Sequence, residues 1–306
     1  MLHTAHFYLN LTGEELHSLE NHLGVSYENI GGKADEYANG FTTWITKQYG
    51  IRLHFIVDFI KLLGKVNITE SNFPEVEERL KGYLFYLFLD QAYYDRVVMI
   101  RMDYRLDVRI AESHRKAILY LYKKTAEKHR HQKKFDRHET TVYFNSKSIQ
   151  GTCYDKEEEV HAKGREMEEY EKDILRFEVR LENRHLKYMK YRQGKEKWLE
   201  GYFKQELYVK YMKQYLGTMV YSGDYYKISG ARKIINESNL SKKEQQQLLD
   251  FLRYVSRYGI EKAKDKNTRY YFNKFLNQLE NLNINPILIP RDRKDFPSFM
   301  QNPFII

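Results

Sequence analysis

From Arg52 to Phe59 the chain alternates: Leu53, Phe55, Val57 and Phe59 against Arg52, His54, Ile56 and Asp58. A period of two is that of a strand with one buried face. The same period predicts strands over 97–109 and 174–183, and residues 4–11 read as an edge strand. Two hairpins are expected, one over about 40–58 turning near Gln48-Tyr49-Gly50, the other over about 140–155 turning at Ser146-Lys147-Ser148. Between them the period lengthens. Pro74 opens an amphipathic helix to about residue 93, a long helix is predicted from about 112 to 134, and the charged run 156–172 reads as helical. Beyond 184 the chain is mostly helical. There Ser241-Lys242-Lys243-Glu244 has the capping-box pattern for a helix ending near Gly259, and Asn267 or Thr268 can cap another through Leu279. Strands separated by helices, with two hairpins among them, predict an α+β fold: an antiparallel sheet with flanking helices over 1–225, then a mainly helical region over 226–306.

Composition narrows the class. No run approaches the roughly 20 apolar residues of a membrane span, and no basic-then-apolar leader opens the chain, so a cytosolic protein without a membrane partner is expected. One cysteine, Cys153, excludes an internal disulfide framework and a cysteine-based zinc cluster. The net charge is +9, and the chain holds 27 tyrosines and 17 phenylalanines. Positive charge attracts polyanions, and aromatic rings stack on unpaired bases. Neither signal is specific to nucleic acid, since most of these rings must be core. No Walker loop, Gly-rich dinucleotide turn or Gly-x-Ser-x-Gly elbow is present.

The densest chemistry lies between residues 98 and 184. Alternation puts Arg101, Asp103, Arg105 and Asp107 on one strand face, and Arg176, Glu178, Arg180 and Glu182 on another. Asp103 and Glu178 supply oxygens for a hard cation such as Mg²⁺ or Mn²⁺. With arginines two residues from each acid, alternation alone favours cross-strand ion pairing. Tyr154 sits at a strand end on the same face as Lys156, a cation able to clamp a phosphate oxygen beside a phenolate nucleophile, though an isolated Tyr-x-Lys says little. His54, on the side of Asp58, is a candidate third ligand, but alone reads more simply as a hydrogen-bonded strand histidine. Lys128, Arg130, Lys133 and Lys134 surround His129, His131 and His138, so that stretch reads as a basic helix end for a DNA backbone.

Four of these segments occur in an order that resembles a known family. Arg101-Met102-Asp103, Thr141-Val142-Tyr143-Phe144-Asn145, Tyr154-Asp155-Lys156-Glu157-Glu158-Glu159 and Leu175-Arg176-Phe177-Glu178-Val179-Arg180-Leu181, followed by Arg184 and Leu186-Lys187, are similar to the replication-associated gene II/X proteins of filamentous phages and related plasmids. The resemblance implies a rolling-circle initiator in a bacterial cytoplasm, with 1–225 as a nickase-type endonuclease domain and 226–306 as a helical region with a possible DNA-binding helix pair. Such an enzyme nicks one origin strand through a tyrosine, leaves a 5′-phosphotyrosine link, and rejoins the displaced strand. It implies Tyr154 as nucleophile, with Lys156 in the same segment, and Asp103 and Glu178 as ligands of Mg²⁺ or Mn²⁺; His54 is the candidate third ligand from the strand alternation alone. Arg101, Arg105, Arg176 and Arg180 would contact double- and single-stranded origin DNA, with host helicase and polymerase as further partners. The chain departs from the wider nickase superfamily in having no His-apolar-His pair in a strand. A conjugative relaxase and a non-catalytic origin-binding repressor remain as alternatives.

Overall fold

A computed structural model describes residues 2–126, 140–145, 148–217 and 220–304. Strands β1 (Leu2–Leu11), β2 (Phe41–Thr46), β3 (Ile51–Asp58), β4 (Val98–Arg109), β5 (Thr141–Asn145), β6 (Ile149–Asp155) and β7 (Ile174–Glu182) form one sheet in the order β2-β3-β1-β4-β7-β6-β5. The fold is therefore α+β and antiparallel, as the alternation predicts, with a helical C-terminal region. One strand is not where its polarity suggested. β1 is interior, paired with β3 on one side and β4 on the other. Its half-polar alternation comes from a half-open face and not from an open edge. The chain divides into two compact units: residues 1–106, 146–150 and 178–211, and residues 107–145, 151–177 and 212–306.

In the first unit the inner face of β1, β2 and β3 carries Ala5, Phe7, Leu9, Phe41, Leu53, Phe55 and Val57, all buried. Helices α1 (Gly13–Leu23), α2 (Ile30–Asp35), α3 (Phe59–Leu63) and α4 (Phe73–Phe88) follow these strands. Thr12 and Glu15 close a capping box on α1, which meets orphan N–H groups at its first turn. On α4, the ring of Tyr83 stacks on Phe41 at 4.0 Å and meets Phe55 at 5.5 Å, while its hydroxyl lies 2.7 Å from Thr43 Oγ1. That contact satisfies the buried phenol. The helix stops at Leu89, in the left-handed region, and a short 3₁₀ turn over Gln91–Arg96 replaces the last turn expected near 93.

Two irregularities in the β1–β4 pairing decide which polar residues share a face. The register shifts between Leu2 and Thr4 and again between His6 and Phe7, where Arg101 pairs with His6 and Met99 with Phe7. Ile100 is the extra residue of a bulge, so Met99 and Met102 are both buried while Arg101 turns to the polar face.

In the second unit, α5 (Glu112–Ala126) buries Ala117, Ile118, Leu121 and Tyr122, and Tyr122 meets Phe177 at 6.0 Å. The helical run after Asp155 is shorter than its charge suggested. Helix α6 covers Lys156–Ala162, and residues 169–171 form a separate 3₁₀ turn. Helices at Ile228–Glu237, Lys242–Tyr258, Ile260–Lys266 and Arg269–Asn281 follow; Ser241 and Glu244 form the expected capping box, and Thr268 caps the last helix.

Candidate functional site

The outward face of the first unit gathers side chains that are far apart in sequence. Thr4, His6 and Tyr8 of β1 lie beside His54 of β3 and beside Arg101 and Asp103 of β4. Asp103 is 2 % exposed and fully engaged. It accepts from Thr4 Oγ1 at 2.8 Å, from Arg101 Nε at 3.1 Å, and from Arg180 through Nε at 3.1 Å and Nη2 at 3.2 Å. Two guanidiniums and a hydroxyl supply the partners a buried carboxylate requires. The cross-strand pairing suggested by alternation is what forms, and the residue that completes it, Arg180, lies 77 positions away.

Glu178 stands in another environment. Its Oε1 lies 3.4 Å from His3 Nδ1, a buried nitrogen with no hydrogen-bond partner, because the contact is close but poorly aligned. His54 lies between two neighbours, with Nδ1 3.2 Å from His6 Nε2 and Nε2 3.1 Å from Thr46 Oγ1, and its ring stacks on Trp44 at 5.3 Å. Burial first, then the nearby His54 and Arg101, lowers the His6 pKa to about 4; burial and Arg52 lower that of His54. Both rings are therefore neutral at pH 7. Asp58 is not a companion ligand. It caps α3, accepting from the N–H groups of Ile60 and Lys61.

Among the described residues, no group of three or more His, Cys, Asp or Glu side chains is arranged to hold a metal ion. Tested against the donors present, a divalent cation does not fit Asp103, whose oxygens are taken by Arg101, Arg180 and Thr4. It fits the Glu178–His3 pair better, where a carboxylate oxygen and an orphaned imidazole nitrogen face each other. His3, Thr4 and His6 were not singled out from sequence. The available signal was the alternation of His6, Tyr8 and Asn10 with Phe7, Leu9 and Leu11, obscured by the reading of β1 as an edge.

The arginines expected to face DNA divide by burial. Arg105 and Arg176 are 1 % and 2 % exposed. Arg105 Nη2 donates to the Val66 carbonyl, and within the second unit Arg176 forms a two-bond fork with Asp107 at 2.7 and 2.8 Å. Both are turned inward, contrary to the expectation of four arginines along a DNA surface. Arg101 and Arg180 keep 20 % and 34 % of their side chains exposed. Lys128, Arg130, Lys133 and Lys134 lie outside the described residues.

In the second unit, Tyr154 is half-buried, next to last in β6, flanked by the buried Cys153 and Asp155. Lys156 is not on its strand face but is the first residue of α6, with Asp155 capping that helix through the Glu157 N–H. The Lys156 ammonium is 6.0 Å from the Tyr154 ring centre and pairs with Glu159 at 2.6 Å and Glu171 at 3.4 Å. Burial, then the charge of Arg176, holds its pKa below the usual lysine value. Behind this junction Arg115, 1 % exposed, binds Asp155 at 2.7 Å, Asp173 at 3.1 Å and Glu157, and donates to the Ile110 carbonyl. The strand-to-helix turn carrying Tyr154 and Lys156 is thus pinned by a buried ionic cluster.

Residues 75–215, the stretch holding Asp103, Tyr154, Lys156 and Glu178, match the family model for the N-terminal part of the replication-associated gene II protein. Over this stretch the chain is similar to the gene II family of filamentous-phage replication proteins. No curated protein and no solved structure matches it.

Proposed function

We propose that this chain is a replication initiator, a site-specific nicking and joining enzyme that starts rolling-circle replication, with Tyr154 as its nucleophile. The observation that carries the reading is the family match across residues 75–215, which spans the Tyr154-Asp155-Lys156 junction. The Tyr154 phenolate attacks the phosphorus of one origin phosphodiester. The P–O3′ bond breaks, the 3′-oxygen leaves as a hydroxyl after taking a proton, and the 5′ phosphate stays on the tyrosine. Attack by a free 3′-OH on the phosphotyrosine reverses the sequence and regenerates the phenol, so joining requires no nucleotide triphosphate.

Lys156 is buried and ion-paired, so its role is to support the phenolate electrostatically from beneath, with Glu159 and Glu171 holding its ammonium in position. Arg101 and Arg180, the arginines with exposed edges, face the DNA phosphates. Within the first unit, a divalent cation, Mg²⁺ or Mn²⁺, would be held by Glu178 with His3, and would supply Lewis-acid polarisation to a DNA phosphate bound at that unit. His54 is the weaker ligand candidate, because both of its ring nitrogens already have protein partners.

The test is a nicking assay on supercoiled origin plasmid. Tyr154→Phe is expected to lose both the nick and the covalent protein–DNA adduct, while still binding the origin. An undiminished adduct would remove Tyr154 from the mechanism. Origin binding by the wild-type protein without any nick would replace the enzyme with a repressor. Manganese titration calorimetry separates the cation assignment from activity: Glu178→Gln should abolish the binding heat, and a wild-type heat in that variant would refute it.

A further inference from the structure

Helix α7 (Asn183–Gln193), in the first unit, has a charge pattern of its own. From Asn183 to Lys195 there is no acidic residue, whereas Arg184, Lys187, Lys190, Arg192 and Lys195 are all present. Leu186 and Met189 are buried, and His185 lies 2.8 Å from the Tyr211 hydroxyl, so one side of the helix is fixed to the unit. The other side follows helical spacing: Arg184, Lys187, Tyr188 and Tyr191 fall at i, i+3, i+4 and i+7 and form a single exposed stripe about 10 Å long. Tyr188 is 55 % exposed and Tyr191 79 %; Trp198, on the segment that follows the helix, is 64 % exposed.

A solvated helix face ordinarily mixes charges of both signs, which stabilises it at i,i+3 and i,i+4 spacing. Here Arg184, Lys187 and Lys190 repel along the i,i+3 row, and the acid that answers Lys190, at 2.7 Å, is Glu196 from beyond the helix. Lys197 registers the crowding: burial, then Lys187 and Lys190, lowers its pKa to about 8. Three large aromatic side chains also stand largely in water. Self-repulsion and exposed rings both weaken the isolated fold, and a polyanion with unpaired bases relieves both at once.

We infer that α7 and the Trp198 segment form a binding surface for single-stranded DNA. Arg184, Lys187 and Lys190 would neutralise backbone phosphates, and Tyr188, Tyr191 and Trp198 would stack on unpaired bases. The proposal deepens the nicking reading by naming where a strand separated from its complement is held, but it does not depend on Tyr154. Exposed tyrosine and tryptophan rings favour single strands over duplex, whose bases are already stacked.

The test uses the full chain and fluorescence anisotropy with a labelled oligothymidine and with a duplex of equal length. Tyr188→Ala/Tyr191→Ala is expected to bind the single strand at least about tenfold more weakly, with duplex affinity changed less than about twofold. Lys187→Gln/Lys190→Gln should reduce the slope of log affinity against log salt by about 0.7 for each lysine removed. Unchanged thermal midpoints confirm that both variants fold, since none of the four side chains is buried. Wild-type oligothymidine affinity and salt slope in both variants would overturn the surface. Equal losses on duplex and single strand would overturn its preference for unpaired bases. Tyr154→Phe serves as the separating control: it should bind oligothymidine like wild type, so loss of nicking and loss of strand binding are distinguishable.

Discussion

At the residue scale the site is governed by which charges already have partners. Asp103 has three, and removing it strands two guanidiniums against a buried face. Asp103→Ala should lower the unfolding free energy by about 3 kcal/mol, measured by urea denaturation, while Asp103→Asn, which keeps the Thr4 bond, should cost less. An unchanged urea midpoint in the alanine variant would mean that Arg101 and Arg180 hold no structural load. His6 gives a pH signature. An unfolded imidazole protonates near 6.5, whereas His6 in the fold resists protonation until about 4. Between those values the unfolded state binds more protons, so this penalty is absent above about pH 6.5 and grows as the pH falls to about 4. His6→Gln should therefore lose less thermal stability than wild type across that window, and parallel melting curves would discount the histidine.

Elements were legible in the sequence wherever the information is local. The period-two runs gave β3, β4 and β7 within a residue or two, and Ser241 with Glu244 marked its helix, because capping is settled within one turn. What failed to show required knowing which strands are neighbours. Alternation could not identify Arg180 as the partner of Asp103, nor show that β1 lies between β3 and β4, because sheet order is set by packing across the whole chain. Ile100 is a subtler case. A bulge moves Arg101 and Met102 relative to Met99, and nothing in an apolar run announces it. By contrast, the start of α6 was readable: Asp155 before three glutamates is an N-cap signal, and it places Lys156 in a helix. Arg115→Met tests that junction. It leaves Asp155 without its buried partner and should cost about 3–5 kcal/mol, with loss of the adduct at temperatures where the chain stays folded. Gly31 of α2 is another close approach, since a Cβ there would come within 2.2 Å of the Thr43 carbonyl oxygen. Gly31→Ala should destabilise by about 1–3 kcal/mol, and a wild-type midpoint would show that α2 can shift away from β2.

At the scale of the whole molecule, charge sets the conditions for encounter. A net +9, to which the basic run of α7 contributes, predicts DNA association that weakens steeply with salt. No helix among the described residues is long and apolar enough to cross a membrane. The lone cysteine gives this molecule an internal clock. Cys153 is fully buried beside Tyr154, and burial, then Asp155, raises its thiol pKa well above the usual value. A thiol reagent reaches it only when β6 comes away from its neighbours, so the rate of labelling in native buffer counts those openings directly. Because no other thiol competes, the readout needs no engineered probe, and it can be followed while DNA is bound. Slower labelling on an origin oligonucleotide would show that substrate clamps the strand carrying the proposed nucleophile. An unaltered rate would place the tightening elsewhere.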